Sequence, residues 1–199
     1  MKKKLLMLGL ISSTLLAKET ITVFQAGSLK VPFGEIEKAF EAKYPQYDVI
    51  TESSGSIEAA KKITQGNRNA DVLVSADYKV IDNLLIPKYA KFNAQFSTNE
   101  MVIAVTKNAK YSDEINSKNW PEIFLKEDVK IGHSNPNMYP CGYRAMLVTK
   151  LAEDDYKIPN LYNKLISYGD SYTIGEEDQN KVVVKPAESE LLKLLEENK

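Results

Sequence analysis

Apolar and polar positions alternate along this chain between the period of a strand and the period of a helix. "ITVFQA" (21–26) reads as a strand. From Pro32 to Tyr44 the apolar positions Phe33, Ile36, Phe40 and Tyr44 recur at three and four, which predicts a helix with one buried face. Pro45 stops it. "YDVITES" (47–53) is a second strand with alternating Val49 and Thr51, and "IEAAKKITQG" a helix closed by Gly66. "ADVLVSAD" (70–77) is a third strand, apolar through Val72, Leu73 and Val74 as a buried parallel strand is, and "YKVIDNLLIP" is another helix. The order βαβαβα predicts a parallel sheet with helices on both faces.

From Lys88 the texture changes. A bridging stretch leads to a strand in "MVIAVT" (101–106), a short helix in "NWPEIFLKEDV", a strand and loop in "KIGHSNPN" and a helix in "CGYRAMLVTKLAEDDY". "KIPNLYNKLISYG" predicts a further helix ended by Gly169, and "KVVVKPAESELLKLLEENK" a short strand and a last helix. Residues 88–98 read as a crossover between two lobes, 18–90 and 91–199.

The length of 199 residues suits one large domain or two small lobes, and 43% hydrophobic with 27% charged residues fits a soluble globular chain. The formal net charge is -1, and no basic tract outside the first residues favours nucleic acid. Those first residues, "MKKK" and then "LLMLGLISSTLLA", have the layout of a secretory signal peptide (1–17) with Ala17 as the cleavage point, which predicts export to the periplasm. Cys141 is the one cysteine, so no intramolecular disulfide forms.

Three turns share one chemistry: Gly27-Ser28 before the first helix, Ser53-Ser54-Gly55-Ser56 before the second, and "SNPNMYPCGYR" before the helix near Cys141. Each is small, bears hydroxyls or amides, and precedes a helix whose first N–H groups lack partners and carry partial positive charge. Such turns gathered at the C-terminal edge of a parallel sheet can hold an oxyanion without a full cationic residue. Taken singly, each is also an ordinary helix cap.

In this order, "FQAGSL", "EIEKAFEAKYP", "ESSGSIEAAKKIT", "ADVLVSADYKVI", "STNEMVIAVT" and "YPCGYR" resemble the tungstate/molybdate-binding proteins of the archaeal-type tungstate ABC transporter, over roughly residues 21–199. The resemblance implies an α/β, two-lobe periplasmic binding protein of type II. Such a protein is not an enzyme, needs no cofactor, and hands molybdate or tungstate to a membrane permease, as a monomer. It implies oxyanion contacts from Gly27 and Ser28, from a serine of the second turn (Ser54 or Ser56), and from Tyr139 and the amides of Cys141 and Gly142. Pro140 has no N–H to give. The family pattern has an aspartate, a direct metal ligand, where this chain has Tyr139. A neutral phenol is a poor substitute for that carboxylate, which favours tetrahedral binding by hydrogen bonds. The family also runs past Lys199, so the first lobe is expected to be incomplete. A truncated remnant without transport function, or a binder of another tetrahedral oxyanion such as sulfate, are the alternatives.

The remaining candidates read as structural. His133 has no accompanying acid or nucleophile motif, and Cys141 has no His partner in sequence view. Asp77 caps the helix after it, and Asp71 caps or faces solvent. Arg144 supports the third turn from behind, while Glu188 and Glu190 sit solvated on the last helix. Trp120 and the many tyrosines read as core or hinge filling. An exported hydrolase using Ser28 or Ser54 lacks a nucleophile elbow or a metal-ligand cluster.

Overall fold

The computed structural model describes residues 17–166 and 182–197. The leader before Ala17 and the helix stop at Gly169 lie outside the described residues. The chain starts with β1 (Glu19–Ala26), a 3-10 turn (Gly27–Leu29) and α1 (Lys30–Lys43). Next come β2 (Tyr47–Ser54), α2 (Ser56–Thr64), β3 (Val72–Val74) and α3 (Tyr78–Leu84). The later elements are α4 (Trp120–Leu125), β4 (Ile131–Ser134), α5 (Pro140–Asp155), α6 (Leu161–Leu165), β5 (Val182–Lys185) and α7 (Glu188–Glu196).

The alternation predicted for the first half is present as a three-stranded parallel sheet of order β2-β1-β3. β1 is central, and its residues Val23, Phe24 and Ala26 are buried. Ala60, Val80 and Leu85 form the core between α2 and α3, with Ile57, Ile63, Leu73 and Ile81 packed against it. β4 and β5 make a second, two-stranded parallel sheet. A second core gathers Ala152, Leu161, Leu165 and Ile166, with Trp120, Phe124, Met146 and Tyr156 against it. Trp120 meets Phe124 and Tyr156 edge to face, and its indole N–H donates to the Tyr156 hydroxyl at 3.0 Å, so the ring fills a core as its sequence context predicts.

Three expectations are corrected. "MVIAVT" is not a strand: it runs irregularly with Val102 77% exposed, because among the described residues no strand lies beside it, and β-forming residues order only against a partner. The apolar stripe of α1 is not a buried face, since Ile36 is 52% exposed and Phe33 and Phe40 are half-buried. α1 packs on β2 through Phe40, whose ring lies 5.8 Å from that of Tyr47, and Phe33 meets Phe96 at 5.9 Å. Val72 is exposed because β3 is an edge strand, not a buried central one.

Charged groups tie the sheet to the turn after α2. The Glu52 carboxylate on β2 accepts from Lys62 at 2.9 Å and from both terminal nitrogens of Arg68, at 2.8 and 2.7 Å. Those bonds, Arg68 first, lower its pKa from 4.5 to about 2. A depressed carboxylate stabilises the fold above its unfolded pKa, and that stabilisation is lost as pH falls through the folded one. Urea midpoints for the parent and Glu52→Gln, taken at intervals between pH 5 and 2.5, are expected to converge as the pH drops, the parent falling further. Equal slopes for the two would count against this pairing.

Candidate functional site

β1 and β2 run parallel in a register that sets Ala26 opposite Ser54 and Gln25 opposite Ser53. The 3-10 turn after Ala26 therefore lies against the end of β2, and the first two predicted turns stand side by side on one sheet edge. β3 ends on the same edge, and the Ala76 amide after it donates to the Ser56 hydroxyl at 3.0 Å. Gly27 and Ser28 are exposed there, with open space around Gly27.

The second turn meets the third face to face. Gly55 is buried and its α-carbon is packed against the Met138 carbonyl and the Tyr139 ring. The Ile57 amide, in the first turn of α2, donates to the Met138 oxygen at 3.3 Å. The structure thus brings together the starts of α2 and α5, with Ser54, Ser56 and Tyr139 around them. Two of the residues in this group are already engaged. Ser56 is fully buried and its oxygen holds Ala76, while the Gly142 amide donates to the Tyr139 carbonyl at 3.1 Å and the glycine packs under Ser134–Pro136, where a side chain would collide with backbone. Ser54 differs: its hydroxyl oxygen is buried and, among the described residues, bonds to nothing. A buried hydroxyl without a partner costs free energy unless something outside the chain satisfies it.

Electrostatically the site rests on dipoles. α2 and α5 present their N-termini, which favour negative charge. Burial raises the Tyr139 phenol above its ordinary value, aided by the carboxylates of Glu58, Glu188 and Glu190, so it remains a neutral donor. Burial, with Glu188 close by, also pushes the Cys141 thiol up, which removes thiolate chemistry at neutral pH. His133 is buried, its Nδ1 2.9 Å from the Ser134 carbonyl, and burial keeps it neutral. Among the described residues no group of three or more His, Cys, Asp or Glu stands ready to hold a metal ion, and no described helix is long and apolar enough to cross a membrane.

Four more residues singled out in the sequence have defined partners. Asp77 does cap α3, accepting from the Lys79 amide at 2.9 Å, and Arg144 bonds to Asp77 rather than to the open edge. Asp71 accepts from the Thr22 amide at 2.8 Å, tying β1 to the start of β3. Glu188 is half-buried rather than fully solvated: its carboxylate accepts from the buried Ser134 hydroxyl at 2.8 Å. The two stand 54 positions apart in the chain, so no local pattern could have shown that bond.

Comparison with known proteins gives the family. The family model for bacterial extracellular solute-binding proteins matches residues 21–198. A protein of Petrotoga mobilis named as an uncharacterized solute-binding protein is 51% identical over 187 residues, covering 92% of this chain and 55% of its own. Two proteins named molybdate/tungstate-binding protein WtpA are also similar. That of Pyrococcus abyssi is 40% identical over 88% of this chain and 56% of its own, and that of Thermococcus kodakarensis 37% identical over 89% and 54%. The chain spans about half the length of these relatives. With its family model matched along nearly all the described residues, this chain belongs to the bacterial extracellular solute-binding protein family.

Proposed function

We propose that this chain captures tungstate or molybdate outside the cytoplasmic membrane, in a periplasm, for delivery to an ABC transporter permease. The three-stranded and two-stranded parallel sheets are then the centres of two type II lobes, and the oxyanion sits between the starts of α2 and α5. The observation that carries the reading is the Ser54 hydroxyl, buried and without a bond among the described residues, at a helix start that faces a second helix start. The names of the Pyrococcus and Thermococcus relatives supply the class of ligand. Ser54 and Ser28 hydroxyls, the Tyr139 phenol, and backbone amides near Gly27 and Cys141 donate to the oxygens, and a water-poor cleft strengthens each bond. Gly142 and Ser56 shape the turns. Tyr139 offers a proton and no metal–oxygen bond, so the anion stays tetrahedral, and cavity size sets its rank against sulfate.

Calorimetric titration with tungstate, molybdate and sulfate tests this, and Ser54→Ala sharpens it. Because the Ser54 oxygen has no partner among the described residues, its removal is expected to leave the melting temperature unchanged or slightly higher. Loss of one donor to an anion weakens tungstate binding about tenfold. Ser56→Ala, by contrast, orphans the Ala76 amide and lowers stability by about 1–3 kcal/mol. No heat and no thermal shift with any of the three oxyanions would end this reading.

A further inference from the structure

Asp77 is the most heavily bonded carboxylate at the candidate site, and nothing in binding an oxyanion directly requires it. Its side chain is 3% exposed. It accepts from the Lys79 amide at 2.9 Å, the Tyr143 hydroxyl at 2.6 Å, and Nε and Nη2 of Arg144 at 3.1 and 2.5 Å. Burial works against its charge, but those donors outweigh burial and hold the carboxyl below its ordinary value.

The positions of the partners matter more than their number. Asp77 follows Ala76, whose amide is held by Ser56 at the start of α2. Tyr143 and Arg144 lie in the first turns of α5, directly after Tyr139–Gly142. A continuous path of bonds therefore runs from the second turn through Ser56, Ala76 and Asp77 to Arg144 and the third turn, alongside the Ile57–Met138 bond. We propose that Asp77, Tyr143 and Arg144 form a latch that holds the two oxyanion-bearing turns together and so sets the lifetime of the bound oxyanion without touching it.

The inference rests on the proposed oxyanion site. An enclosed dianion leaves only when α5 swings its first turn away from α2, and that motion must break the latch. The latch can break reversibly because its two sides differ in exposure: the Arg144 side chain is 46% exposed and stays hydrated when released, while Asp77 gains water on opening. The latch thus acts on release more than on encounter. Tyr143, Arg144 and Asp77 are positioning residues on this view.

The test measures sodium tungstate affinity and dissociation rate for the parent chain, Tyr143→Phe, Arg144→Met and Asp77→Asn, with melting temperatures beside them. Asn keeps the cap on α3, so Asp77→Asn removes charge without removing the cap. Each variant is expected to release tungstate about tenfold faster with little change in association, the loss of one hydrogen bond to a charged group. The Asp77→Asn/Arg144→Met pair is expected to lose no more than the larger single loss, since both act through one contact. Variants that melt earlier yet bind and release tungstate as the parent does would reduce the cluster to a structural clamp and overturn the latch. A parent that binds tungstate, molybdate and sulfate not at all overturns the oxyanion reading instead, and the latch with it. If Asp77→Asn does not fold, Tyr143→Phe, which keeps its ring, decides between these outcomes.

Discussion

Phe24→Ala is expected to cost about 3–5 kcal/mol of folding stability, the range for emptying an aromatic site in a packed core. The ring is 1% exposed at the middle of β1, the central strand, with Glu52 opposite on β2 and Leu73 opposite on β3. The Arg68 guanidinium stacks 4.8 Å from its centroid while bonding Glu52, so the ring is also the floor on which that ion pair is built. Truncation leaves a cavity, removes a cation–π contact and loosens a pairing that lowers the Glu52 pKa. A small domain has about 5–15 kcal/mol in total, so this one change takes up a large share of it. Urea unfolding read by far-UV circular dichroism measures the loss. Phe24→Leu, which keeps most of the apolar volume, is expected to recover the greater part. A loss below about 1 kcal/mol for Phe24→Ala would mean that the sheet is not held by this ring.

The same ring shows how far sequence alone reaches. Alternation, Gly66 and Pro45 were enough to order β1, α1, β2, α2, β3 and α3, because each signal is local: a period, a stop, a cap. Local signals fail where an element's state depends on a neighbour far along the chain. The stripe of α1 has helical spacing, yet spacing says nothing of what covers it, and Ile36 is half exposed. "MVIAVT" has strand composition, but composition does not supply the adjacent strand. The site divides in the same way. Its three turns were legible from glycines, hydroxyls and helix starts. The sequence places Arg144 behind the third turn but cannot show its partner Asp77, 67 positions away, and Glu188 reads as solvated because its partner Ser134 lies 54 positions earlier. Nor can sequence tell an engaged hydroxyl from one without a partner among the described residues: Ser54 and Ser56 are chemically alike, and the Ala76 amide separates them.

At the proposed oxyanion site, Gly55→Ala is expected to weaken tungstate binding by about a hundredfold while the chain stays folded. Conformation is not the obstacle, since Gly55 has φ -64 and ψ 145, which any residue adopts. Space is. A β-carbon there overlaps the Met138 carbonyl oxygen, and it comes within 3.1 Å of both the Met138 carbonyl carbon and the Tyr139 ring. The oxygen is backbone and is bonded to the Ile57 amide, so it cannot step aside without breaking the bond that joins the two turns. The third turn must therefore back away from α2 by about 1 Å, and displacement of that size in a built site can cost about a hundredfold. Both sheets keep their own cores, which contain neither Gly55 nor Met138, so secondary structure is expected to survive. Gly34→Ala is the control: it lies in α1 with nothing within 4 Å of the added carbon, and helix propensity favours it. Calorimetric titration of both variants beside the parent gives the answer. A Gly55→Ala chain that binds tungstate like its parent would show that the oxyanion does not depend on the contact between the starts of α2 and α5.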